Sequence, residues 1–145
     1  MAIDKLLTKE QKEKLIQAIR DAENQTSGEI RVHLESRCKG SVLQRAAQMF
    51  EKLKMHETQH RNSTIIYLAV KDRKFAIFGD QGINEIVPDN FWEDVKEEMQ
   101  SYFERGEFIN GLILGINQVG KKLKVHFPYQ KDDINELPDD ISIGQ

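Results

Sequence analysis

NSTIIYLAVKDRKFAIFGDQGINEIVPD, residues 62–89, is the stretch on which the fold turns. Thr64 to Val70 is apolar at nearly every position, a pattern that fits a strand covered on both faces and therefore placed mid-sheet. Lys71-Asp72-Arg73-Lys74 is too polar to be buried and too short for a crossover helix, so Phe75 to Phe78 is expected to return as an antiparallel partner. The chain then enters Gly79-Asp80-Gln81-Gly82, whose glycines permit positive φ and tight curvature just past the strand end. Loops in that position are where α/β folds keep their chemistry.

Upstream, Thr8 and Gln11 form a capping-box pattern ahead of Leu15, Ile16, Ile19 and Ala22 on one helical face. Ile30, Val32 and Leu34 alternate with Arg31, His33 and Glu35, which predicts a strand with a single apolar face. Ser41 and Gln44 repeat the capping box, and Val42, Leu43, Ala46, Ala47, Phe50 and Leu53 supply a helix that covers the sheet. A helix between two strands makes them parallel, joined by a right-handed crossover. Downstream, Pro88-Asp89 announces a helix carrying Val95, Met99, Tyr102 and Phe103. Gly106 stops it, and a last helix runs from about Phe108 to Leu123, with Gly111 and Gly115 allowing close approach to a neighbour. The expected architecture is α/β: a three-layer α/β/α sandwich with a small mixed sheet and helices on both faces.

With 145 residues the chain fits one domain. A net charge of -3, with no basic stripe or aromatic platform, argues against nucleic acid as partner. Lone Cys38 can form no internal disulfide. The opening MAIDKLLTKEQ has no long apolar segment, so no signal peptide or membrane insertion is expected and cytoplasm is the default location. Residues 128–145 form an acidic tail, with Asp132, Asp133, Glu136, Asp139 and Asp140 against Lys131 alone, while Leu137, Ile141 and Ile143 allow it to dock on the domain.

The loop lacks the lysine of a phosphate-cradling motif and puts Asp80 where phosphate would sit, so a cation is the natural guest. Hard divalent cations take clustered carboxylate and carbonyl oxygens, and Asp72, Asp80, Glu85 and Asp89 all lie on turns or helix starts near the hairpin. Hairpin geometry sets Asp72 and Asp80 at opposite sheet ends, whereas Asp80, Glu85 and Asp89 can converge with Asn62. Asp89 has a second role open to it as a helix cap. His56 and His60 fall in a polar loop segment, and Cys38 has no resolving cysteine or local acid-base pair.

Ser27-Gly28-Glu29-Ile30-Arg31-Val32, Asn62 before an aliphatic run, Asp72-Arg73, Gly82 with Asp89 further on, and Phe103-Glu104-Arg105-Gly106-Glu107-Phe108 leading to Gly111-Leu112 together resemble the TPM domain family, also called TPM-phosphatase-like. The likeness covers nearly the whole chain up to about Leu123, which makes residues 1–127 the expected TPM domain of a stand-alone bacterial member. It implies a helix-flanked α/β sandwich, divalent cation binding (calcium in particular) at the acidic end of the sheet, and for some members a weak acid phosphatase activity. Asn62, Asp72, Gly82 and Asp89 are the matching positions. The family's acid-asparagine-glycine opening of the central strand reads Arg61-Asn62-Ser63 here, and its glutamate past the loop glycine is Asn84, with Glu85 beside it. The expectation is a calcium-binding module that presents its acidic loop to a protein partner. A metal-assisted phosphatase using Asp80 or Asp89, with Arg61 steadying the phosphoryl group, and an assembly module without metal are the alternatives.

Overall fold

A computed structural model of the chain describes residues 7–129 and 141–144. Its elements are α1 (Lys9–Glu23), β1 (Ile30–Glu35), α2 (Val42–Lys52), β2 (Thr64–Ala69), β3 (Lys74–Gly79), α3 (Gln81–Asn84), α4 (Glu93–Glu104), α5 (Phe108–His126) and β4 (Ile141–Ile143). The capping box of α1 is complete, the Thr8 hydroxyl accepting from the Gln11 amide while the Gln11 side chain accepts from the Thr8 amide. At α2 the Ser41 hydroxyl accepts from the Gln44 amide, which is half of the expected box.

The sheet order is β3-β2-β1-β4, with β1 parallel to both β2 and β4 and β3 antiparallel to β2. All of β2 is buried, as its unbroken apolar run requires. On one face Ile30, Val32, Leu34, Ile66, Leu68, Ile77 and Ile141 meet the apolar sides of α1, α4 and α5. On the other, Ile65, Tyr67, Ala69 and Ala76 meet Ala46, Met49 and Phe50 of α2. The expected three layers are present. Gly111 lies against Phe103, Gly115 against Met99 and Gly120 against Ala22, so α5 packs backbone-close to both α4 and α1 where a Cβ would collide.

Three expectations need correction. β1 is not a strand with a wet face: His33 and Glu35 are 1% and 2% exposed, because their side chains satisfy one another beneath α2 and β4. α4 starts at Glu93 with Trp92 at its N-cap, so Asp89 lies in the preceding turn and caps nothing. Gly79 and Gly82 have ordinary backbone angles, and the residue that turns left-handed here is Arg61, at φ 50°.

α5 runs past Leu123 to His126. Pro128 then bridges to Thr26, and Ile141 and Ile143 of the tail pair with Val32 and Leu34. The acids Asp132, Asp133, Glu136, Asp139 and Asp140, and Leu137, lie outside the described residues. No described helix is long and apolar enough to cross a membrane.

Candidate functional site

Two chain segments meet where β2 begins and β3 ends. The Asp80 amide donates to the Ser63 carbonyl at 3.0 Å and the Gly82 amide to the Arg61 carbonyl at 2.9 Å, which stitches residues 61–63 to 80–82. A Cβ on Gly82 would run into the carbonyls of His60 and Arg61. Glycine is needed there for close approach, not for a left-handed angle. Asp80, with extended backbone, begins α3, and its Oδ1 accepts from the Gln81 amide at 2.8 Å.

The Asp80 carboxylate is 4% exposed, and a charge so placed needs a partner. Arg61 supplies it fork-on, Nε to Oδ2 at 2.6 Å and Nη2 to Oδ1 at 2.8 Å. Its hydrogen bond to Asp80 is the main effect holding the guanidinium pKa up. The pair borders an open cleft of about 360 Å³ between α2, at Phe50 and Glu51, the turn at His56 that follows it, and the strand end at Phe78.

The other expected ligands are elsewhere. Asn62 is buried, but its amide reaches the Ser27 hydroxyl at 3.4 Å and it does not line the cleft. Glu85 is exposed at the C-cap of α3, where its charge acts on Arg61. Asp89 is exposed in the turn before α4. Asp72 lies at the opposite sheet end, as hairpin geometry requires, accepting from the Cys38 amide at 2.8 Å and from Arg37 at 3.2 Å. Among the described residues no three His, Cys, Asp or Glu side chains gather as a metal-holding group. The positive charge that Asp80 meets here is the guanidinium of Arg61.

A second polar centre went unnoticed in the sequence. Glu35 accepts from Arg45 Nε at 2.9 Å and Nη2 at 2.6 Å, from the Tyr67 hydroxyl at 2.6 Å and from His33 Nε2 at 3.2 Å. Burial alone would raise the Glu35 pKa, but the bonds from Arg45, Tyr67 and His33 outweigh it and bring the carboxyl down to about 2. Burial lowers the pKa of His33 against the opposing pull of Glu35. With its Nε2 proton on Glu35, neutral His33 accepts at Nδ1 from the Ser142 hydroxyl of β4, 2.7 Å away. Burial, and then the bond to Glu35, raise the pKa of Tyr67. The available signal was the pairing of polar His33 and Glu35 with a tyrosine at the middle of an otherwise aliphatic strand.

Fold and site together define a mixed-sheet α/β sandwich with an acid-bearing loop at the amino end of its central strand. The TPM domain matches residues 3–122, and the chain belongs to that family. The BA42 protein of the psychrophilic bacterium Bizionia argentinensis is 48% identical, with a TM-score of 0.89 and 95% of each chain covered. The N-terminal domain of a P. gingivalis protein has a TM-score of 0.70 at 17% identity, covering 86% of this chain and 82% of that one. The N-terminal domain of the cg2496 protein of Corynebacterium glutamicum has a TM-score of 0.63 at 13% identity, covering 93% and 79%; these last two likenesses concern the fold alone. No curated protein matches the chain.

Proposed function

We propose that this stand-alone TPM domain is a binding module in which Asp80 exchanges its partner, Arg61 in the unloaded form and a divalent cation, calcium foremost, in the loaded one. The observation that carries the reading is a buried carboxylate that, among the described residues, has Arg61 as its charged partner and a single backbone amide, that of Gln81, beside it, so that little besides the fork itself holds the pair. Removal of the guanidinium would leave Asp80 uncompensated, and an oxygen-seeking cation meets the same electrostatic need. Glu85 lies close enough to influence Arg61 and would add a second acid; Asn62 and Asp89 could join only if the loop rearranges, and Asp72 is too far away to take part. Because Arg61 competes, affinity should be weak, in the range of about 0.1–1 mM or above. In a cytoplasmic setting such a site would stay in its arginine form until the cation rises. Loading would reshape the cleft and the neighbouring loop, where Ile86, 51% exposed, offers an apolar contact to a protein partner.

Metal-assisted phosphoester hydrolysis has less support. Arg61, the candidate for holding phosphoryl oxygens, commits two of its nitrogens to Asp80, and Asp89 stands in an exposed turn. The test of the binding reading is a calcium titration followed by amide NMR. Saturable shifts are expected over Gly79 to Glu85 and at Arg61, and they should vanish in Asp80→Asn; a loop that stays silent up to about 10 mM, well above the weak extracellular class of sites, contradicts it.

A further inference from the structure

β4 sits on the free edge of β1, beyond the part of the chain that the family domain matches. Its hold is short but patterned. Ile141, 4% exposed, enters the core on the α1 side, Ser142 faces His33 on the other, and the Gly144 amide donates to the Leu34 carbonyl at 2.7 Å. Gly144 is the selective position. A Cβ there would strike the Glu35 carboxylate and come within 3.0 Å of His33 Nε2. Those two groups cannot give way, since Glu35 is held by Arg45 and Tyr67 and His33 lies between Glu35 and Ser142.

We infer that the edge of β1 is a strand-docking site for an extended Ile-Ser-Ile-Gly segment, filled in cis by Ile141–Gly144 and able to accept the same segment from a second copy of this chain when its own strand is unseated. Main-chain bonds supply the affinity of such an added strand, and the alternating contacts supply its selectivity. Here the contacts are an aliphatic side chain over the core, a hydroxyl for the imidazole, and no side chain against the carboxylate. The strand is tethered to the domain it covers, so the cis copy outcompetes a free one by an effective concentration in the millimolar class. The site shares no residue with the Asp80 end.

The test uses the full chain. Gly144→Val should unseat β4, seen as loss of NMR contacts between Ser142 and both Val32 and His33 while the helical core is retained. A synthetic Asp139–Gln145 peptide should then bind that variant at least tenfold more tightly than it binds the wild type, restoring those contacts, whereas the same peptide with valine in place of its glycine should not. Ser142→Pro, which unseats the strand without bulk against Glu35, serves as the second background should the first variant not fold. A strand that stays seated in both variants, a peptide that fails to bind an unseated background, or equal binding to the wild type would each overturn the inference.

Discussion

Two carboxylates in this protein, Glu35 and Asp80, are buried to almost the same degree and each is gripped fork-on by an arginine whose side chain is 37% exposed. They differ in everything around the fork. Glu35 also receives Tyr67 and His33, both buried, so its four bonds come from three side chains on two strands and a helix. Among the described residues Asp80 receives, besides Arg61, only the neighbouring amide of Gln81. Loss of Arg45 would leave Glu35 with two partners in place; loss of Arg61 would leave Asp80 with a backbone cap. A similar ion pair is therefore backed by two further buried side chains at one site and by a single backbone amide at the other.

Glu35→Ala strands Arg45, Tyr67 and His33 beneath α2 and should cost about 3–5 kcal/mol in urea unfolding; a loss no larger than that of Asp80→Ala would erase the distinction. Acid should act through the same joint. The Glu35 pKa is depressed to about 2 in the folded state, so its stabilisation is present above the unfolded value of 4.5 and is lost as pH falls toward 2. Buried His33 is also depressed, so its contribution is present above 6.5 and is lost as pH falls through its lower folded value. Urea midpoints followed from pH 7 to 2 should decline in both windows, the upper decline disappearing in His33→Gln and the lower one in Glu35→Gln. A wild-type profile that is flat below pH 6.5 would contradict both assignments. Gly82→Ala has a smaller expected effect, about 1–3 kcal/mol, because the added methyl must push back the backbone at His60 and Arg61. The same change should disturb the Arg61 contact while leaving the Tyr67 and His33 signals in place, which amide NMR would report.

The fold was legible because its signals are local and mutually consistent. The nearly unbroken apolar run from Thr64 to Val70 suits a central strand, the Thr8/Gln11 box marks α1, and Gly111 and Gly115 signal close approach to a neighbour, which the structure identifies as α4. What escaped is chemistry settled by partners far apart in the chain. His33 and Glu35 read as a wet face because alternation reports polarity, and nothing in a single strand tells that Tyr67, Arg45 and Ser142 will arrive to satisfy them. The acidic loop was correctly set at the end of the hairpin opposite Asp72. Its carboxylates do not converge: Asp80 is paired with Arg61 at the α2 cleft, while Glu85 and Asp89 stay in solvent. Close approach at Gly82 and the left-handed angle at Arg61 both depend on the same tertiary contact, which no local pattern reports.

The replaceability of Arg61 is tested most directly by calorimetric calcium titration of the wild type beside Arg61→Gln, with circular dichroism confirming that both are folded. Removal of the built-in competitor should tighten calcium binding at least tenfold, and Asp80→Asn in the Arg61→Gln background should abolish it. Equal affinities for the two proteins, or no binding by Arg61→Gln, would contradict the exchange of partners at Asp80.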